Sequence, residues 1–219
     1  MAPAPRPSYR LIPSQFPPIG LFDTVATAAD LAAVMDLVGW TNDRLVAERI
    51  ARLPQTEWVY GTPNASIVMA AFLHVAPGGM RFNGRELGAW YASDDIRTAA
   101  AEVGHHLRRE TVARDVATMS RTYRTYTATL LGGYLDIRGQ QAKYPDVYAS
   151  DRYKASQQFG EDVRASSGAG ILYTSLRHQL GNNVVAFRTR NITDIVQEDH
   201  FEITVSATDR TINVRKLSR

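Results

Sequence analysis

Cysteine is missing from the sequence altogether. That excludes disulfides, cysteine-ligated zinc and thiol nucleophiles together. Lysine is scarce: Lys143, Lys154 and Lys216 are the only three among 25 basic residues, and the rest are arginines. No apolar run approaches the ~18 residues that a membrane-spanning helix requires. The opening MAPAPRPSYR has no apolar secretory core, so the expected address is cytoplasmic, without membrane contact. Charge of one sign is also in short supply. The net charge is +3, and the densest basic run (Arg108, Arg109, Arg114) is interrupted by Glu110. Nucleic-acid binders concentrate charge in a stripe or tail, so no direct nucleic-acid partner is expected. A basic nucleic-acid-binding module stays as a distant alternative, recognisable by steep salt dependence.

Common catalytic signatures are absent too. There is no GxxxxGK[ST] phosphate loop, no GxGxxG dinucleotide fingerprint, no HExxH and no GxSxG elbow. The histidines stand at 74, 105, 106, 178 and 200. His105 and His106 are neighbours, so on a helix they point about 100° apart and cannot chelate as an i, i+4 pair does. No metal is expected.

What is present suffices for one globular domain over 1–219: 44% hydrophobic and 21% charged residues in 219 positions. Six of the ten prolines lie within residues 1–18, which predicts an irregular start around a short strand at Tyr9–Ile12. Apolar spacing predicts helices over 24–38 (Leu31, Val34, Met35, Val38) and 42–53 (Leu45, Ile50, Leu53). The run Ile67–Val75 fits a buried strand or a buried helix equally. Pro77–Gly79 reads as a turn, Met80–Gly84 as a strand entering a second turn, and Ala89–Ala92 as a short buried strand. A helix follows, with Ser93 as its N-cap and Ile96, Ala99, Ala100, Val103 and Leu107 on its apolar face. Later come a β-rich stretch from Thr122 to Ile137, a helix over 153–164, and strands at Ile171–Ser175 and Asn183–Arg188. A hairpin over His200–Val214, turning near Thr208-Asp209, closes the chain. Helices lead and strands dominate later, with no regular βαβ alternation, so the fold class is α+β.

One constellation remains for chemistry. Arg81 and Asn83 lie in the glycine-bounded segment, Tyr91 in the next strand, and Glu102 on the helix after it. Glu102 falls about 120° from the centre of that helix's apolar face, on its flank, where a side chain can look into a cleft. Singly, each has an ordinary reading: a solvated helical glutamate, a core tyrosine, a surface ion-pair arginine. For Glu102, exchange to alanine is then expected to be near neutral for stability.

Together the residues say more. The segment RFNGRELGAWYASDDIRTAAAEV (Arg81–Val103) resembles the RES domain family, which is named for an arginine, a glutamate and a serine. Arg81, Glu102 and Ser175 in GILYTSLR match that order. Tyr9-Arg10 resembles the family's early Tyr-Arg strand, and Asn183–Arg188 the apolar strand after the serine. The resemblance covers about 80–190 and 8–12. Two departures stand out. Phe82 takes the place of the family's tryptophan, and Arg10 and Arg81 are 71 residues apart, separated by a helical insertion at about 20–75.

The resemblance implies an ADP-ribosyltransferase-like β-rich core with flanking helices and the inserted N-terminal helical element. It implies a bacterial toxin of a type II toxin–antitoxin system that uses NAD+ as substrate, needs no metal and is held by a cognate antitoxin. The toxin would cleave the nicotinamide–ribose bond and transfer ADP-ribose to an acceptor, with a cellular protein favoured because the insertion offers a docking surface. The alternative is an NAD+ phosphorylase or glycohydrolase that depletes NAD+. In that scheme Glu102, Arg81 and Ser175 are catalytic, and Tyr9, Arg10, Arg81, Asn83 and Tyr91 bind the dinucleotide.

Overall fold

The computed structural model describes residues 1–15, 20, 22–27, 29–30 and 44–218, with backbone alone for 44–47. Most of the helix expected over 24–38 lies outside the described residues. Among the described residues, eight strands carry the fold: β1 (Ser8–Pro13), β2 (Trp90–Ser93), β3 (Thr118–Leu130), β4 (Leu135–Asp136), β5 (Gly170–Thr174), β6 (Asn182–Ala186), β7 (Ile192–Ser206) and β8 (Ile212–Leu217). They form one sheet in the order β4-β5-β6-β2-β1-β3-β7-β8. Every neighbouring pair is antiparallel except β4–β5. Among the described residues, four helices accompany the sheet: α1 (Arg44–Arg52), α2 (Ala65–Leu73), α3 (Ile96–Ala113) and α4 (Lys154–Ala165). The class is α+β, and none of these helices is long and apolar enough to cross a membrane.

Alternation along the strands divides the core between the two faces of the sheet. Trp90, Ala92, Leu172, Val184, Ala186 and Tyr126 point to one face, where they meet α2. This resolves the Ile67–Val75 ambiguity. Ile67, Val68 and Phe72 pack on the sheet, while Ala65, Met69 and Leu73 pack on Phe22, Val25, Ile50 and Leu53. A helix buried from two sides has no polar stripe to show, so its periodicity is lost from the sequence. Each such large apolar side chain contributes roughly 1.5–3 kcal/mol when fully buried.

The opposite face is covered by two separate groups. Helix α3 lays Ala99, Ala100 and Leu107 against Leu11, Tyr123 and Ile203, over β1, β3 and β7. Phe82, Tyr148 and the flank of α4 cover Ile171, Tyr173 and Val185, over β5 and β6. Between these coverings, above β2 and β6, the sheet is left open.

Two local expectations change. The N-cap of α3 is Asp95, whose Oδ1 accepts from the N–H groups of Arg97 (2.7 Å) and Thr98 (2.9 Å). Ser93 belongs instead to β2, two residues too early to reach the orphan donors. Met80–Gly84 is not a strand. It is a loop closed by the single bridge Met80↔Asn83 and tied to α4 by Gln157, which donates to the Gly78 and Met80 carbonyls, and by Glu161, which accepts from the Gly84 N–H.

Candidate active site

The opening between α3 and the 80–84 loop is a cleft of about 260 Å³. Its floor is one row of the sheet. Tyr9 on β1 pairs with Ser93 on β2, Ser93 with Asn183 on β6, and Asn183 with Tyr173 on β5. Paired residues share a face, so four strands present these four side chains side by side, and all four line the cleft.

Glu102 enters from α3. Its Oε1 accepts two hydrogen bonds, from Ser175 Oγ at 2.7 Å and from Asn183 Nδ2 at 2.6 Å. Its Oε2 accepts none from the described residues. Ser175, just past β5, is itself held by accepting the N–H groups of Arg177 and His178, both at 3.0 Å. Ser93 Oγ donates to Asn183 Oδ1 at 2.7 Å. The carboxylate is thus tied at one oxygen and open at the other.

Tyr91 closes the opposite wall. Its hydroxyl donates to Asn83 Oδ1 (2.8 Å) and accepts the Phe82 N–H (2.9 Å), which pins the 80–84 loop. Burial pushes this phenol up, only partly opposed by the Phe82 N–H and by Arg164 and Arg81, so it stays neutral. Asn83 is wholly buried and its amide also donates to the Gly84 carbonyl. Both residues line the cleft, and both have a structural task there.

Among the described residues, the arginines that line the cleft are Arg10, Arg81 and Arg177. Arg81 Nη1 donates to the Val147 and Ala149 carbonyls (3.2 and 2.9 Å), and its plane lies over the Tyr153 ring at 4.9 Å. Arg10 arrives from the other face of the sheet, since neighbours on a strand point opposite ways. It gets through because β1 and β2 pair only at Tyr9↔Ser93. It stacks over Trp90 at 4.7 Å and donates to the Tyr91 carbonyl at 3.0 Å, while its Nε is buried without a partner. Burial lowers its pKa to about 10, against a raising effect of Tyr91, so it remains cationic at neutral pH. Neither Arg10 nor Arg81 has a carboxylate partner among the described residues. Arg10 is thus a desolvated guanidinium and Arg81 a half-buried one, the kind of group that pairs with carboxylate or phosphate.

The structure adds residues that the sequence did not single out. Asn183 was seen only as part of an apolar strand, because nothing local marks it as a partner of a glutamate 81 positions earlier. Tyr153, Tyr173, His106 and Arg177 also line the cleft. His106 is open to water at the cleft mouth yet crowded by protein. Burial lowers its pKa, the Glu102 charge opposes that, and Arg109, Arg177 and Arg81 lower it further. Burial and then Glu102 hold the Tyr173 hydroxyl well above its ordinary range. No group of three or more His, Asp or Glu side chains suited to a metal occurs among the described residues.

Comparison with known proteins places the chain. An uncharacterized protein of Sinorhizobium fredii, y4oC, is 28% identical over 159 residues, covering 67% of this chain. The chain spans 62% of that relative's length. Among solved structures, a chain in the crystal structure of the M. tuberculosis MbcT–MbcA toxin–antitoxin complex is 22% identical, with a TM-score of 0.41. That similarity covers 56% of this chain and 73% of the other. The model of the RES domain matches residues 47–206, well over half of the sequence and inclusive of Arg81, Glu102 and Ser175, and the chain therefore belongs to the RES domain family.

Proposed function

We propose that this protein is a toxin of a toxin–antitoxin pair that cleaves NAD+ at the nicotinamide–ribose bond and transfers the ADP-ribosyl group to an acceptor. The observation that carries the reading is Glu102. Ser175 and Asn183 hold one of its oxygens, and the other is free toward a cleft that also contains Arg10 and Arg81.

The chemistry fits these groups. The bond from ribose C1′ to the nicotinamide nitrogen breaks, its electron pair leaves with neutral nicotinamide, and positive charge develops on the ribosyl ring. A fixed carboxylate stabilises that charge without having to reorganise. Oε2 of Glu102 is the free atom for this task or for a ribose hydroxyl. Arg10 and Arg81 would hold the pyrophosphate through charge-assisted hydrogen bonds. The rings of Tyr91 and Tyr9 offer flat apolar surface for the nicotinamide end at low entropy cost. Ser175 acts by holding Glu102 and not by attacking the substrate. The acceptor's nucleophilic atom then bonds to C1′ and gives up its proton.

As acceptor we favour a protein docked on the 20–75 element, and a cognate antitoxin would silence the toxin. Phosphate or water as acceptor, which would simply deplete NAD+, is the competing reading. Incubating the purified protein with labelled NAD+ and a cell lysate tests all of this. Nicotinamide release with label on protein is the expected result. Release with only free ADP-ribose or its phosphate ester selects the competing reading, and no release overturns the proposal.

A further inference from the structure

The Glu102 carboxylate is tied to a polar chain that crosses two strands. Ser93 (3% exposed) and Asn183 (2% exposed) are register partners on β2 and β6. Ser93 Oγ donates to Asn183 Oδ1 at 2.7 Å, and Asn183 Nδ2 donates to Glu102 Oε1 at 2.6 Å. An asparagine amide has a donor end and an acceptor end. An ionised carboxylate only accepts, so the donor end must face Glu102 and the acceptor end must face Ser93. The Ser93 hydroxyl satisfies the acceptor end, and no oxygen is left orphaned. The bond from the Asn183 amide to the Glu102 carboxylate is a charge-assisted one.

We infer that Asn183, with its amide oriented by Ser93, is a positioning residue that holds one oxygen of Glu102 and aims the free one into the cleft. The inference rests on the proposed role of Glu102, and it asks for a residue outside the arginine, glutamate and serine that match the family. Ser175 alone cannot supply the same control. A single donor lets the carboxylate swing about that bond, whereas two donors, one on β6 and one just past β5, fix it. The titratable and charged groups facing the carboxylate are His106 from its own helix and Tyr173 from β5, with Arg81 and Arg177 also lining the cleft. The variants below leave all four in place.

The test compares Asn183→Asp, Asn183→Leu and Ser93→Ala with the wild type. Asn183→Asp is nearly isosteric and places a second carboxylate where the donor was, so the two share a proton and Glu102 ionises at higher pH. We expect the acidic limb of the kcat profile for nicotinamide release to move up by about one pH unit or more in Asn183→Asp. The limb should move by less in Asn183→Leu and Ser93→Ala. At neutral pH, kcat should fall by up to about 100-fold in both Asn183 variants, with the KM for NAD+ little changed. A residue that only supported the fold would lower thermal stability and leave the pH profile where it was. Carbon-13 NMR titration of the Glu102 carboxyl reads the same shift without any turnover. If wild type releases no nicotinamide, the functional reading fails while the titration still decides this one. An unshifted Glu102 titration in folded Asn183→Asp and Asn183→Leu overturns the inference. An unshifted titration in Ser93→Ala alone overturns the part assigned to Ser93.

Discussion

Glu102 shows how far a residue's surroundings change the outcome of replacing it. On helix propensity alone, Glu102→Ala is close to neutral. In the folded protein it leaves the Ser175 hydroxyl and the Asn183 amide without their shared acceptor. Each unpaired buried donor costs about 1–3 kcal/mol, so chemical denaturation should find Glu102→Ala clearly destabilised. Glu102→Gln keeps an oxygen for both donors and should denature like wild type. Its nicotinamide release should nevertheless fall by about 10²–10³-fold, because the negative charge is gone. His105 gives a prediction of a different kind. Burial, then Arg177, His106, Arg109 and Arg108, lower its pKa to about 4. The unfolded chain takes up that proton near 6.5. Between these values the unfolded state binds more protons, so stability is full above about 6.5 and declines as pH falls toward about 4. His105→Gln should flatten the melting temperature across that window in a buffer series, relative to wild type.

At the scale of elements, helix α4 is the backing of the 80–84 loop, and the contact depends on Gly160. A Cβ at 160 would overlap the Phe82 carbonyl and backbone. Propensity says that Gly→Ala inside a helix stabilises by about 1 kcal/mol. Here the close approach wins, because backbone cannot yield as a flexible side chain would. Gly160→Ala should lower stability in a denaturant titration. It should also weaken NAD+ binding, since Phe82, Asn83 and Tyr91 move with the loop. A stabilised variant would show that the loop has room to retreat. Helix α3 was read from sequence with its buried face correct at Ala99, Ala100 and Leu107, and with Glu102 on the flank that meets the cleft. Its cap was misplaced by two residues, because Ser93, Asp94 and Asp95 are all chemically able to cap. Only the path of β2 decides which one stands at the helix end.

For the whole molecule, a ligand that binds only the folded state raises its stability in proportion to the logarithm of concentration. On the proposed function, Glu102→Gln should bind NAD+ while turning it over slowly enough for an equilibrium measurement. At 100 times its Kd, NAD+ should stabilise this variant by about 2.7 kcal/mol, roughly 5–10 °C for a chain of this size. Arg10→Met in that background should remove most of the shift in a thermal scan. Arg10 is desolvated and has no carboxylate partner among the described residues, and its guanidinium lies over the Trp90 ring. An unchanged shift would take Arg10 out of the binding site.

The sequence by itself determined the class of fold, the order of most elements and the kind of chemistry to look for. Fold class and element order depend on local patterns, alternation in the strands and 3.6-residue spacing in α3, while the chemistry came from the resemblance of the Arg81–Val103 segment to the RES domain family. It left the Ile67–Val75 run undecided and passed over Asn183, Tyr153 and Tyr173. Only the tertiary structure decided those: the Ile67–Val75 run is a helix buried from two sides, and the cleft residues meet only in the fold. The cleft floor is a row across β1, β2, β6 and β5, whose members lie far apart in the chain. Strand register, and with it the hydrogen bond that aims Glu102, is set by which strands become neighbours. No local pattern carries that information.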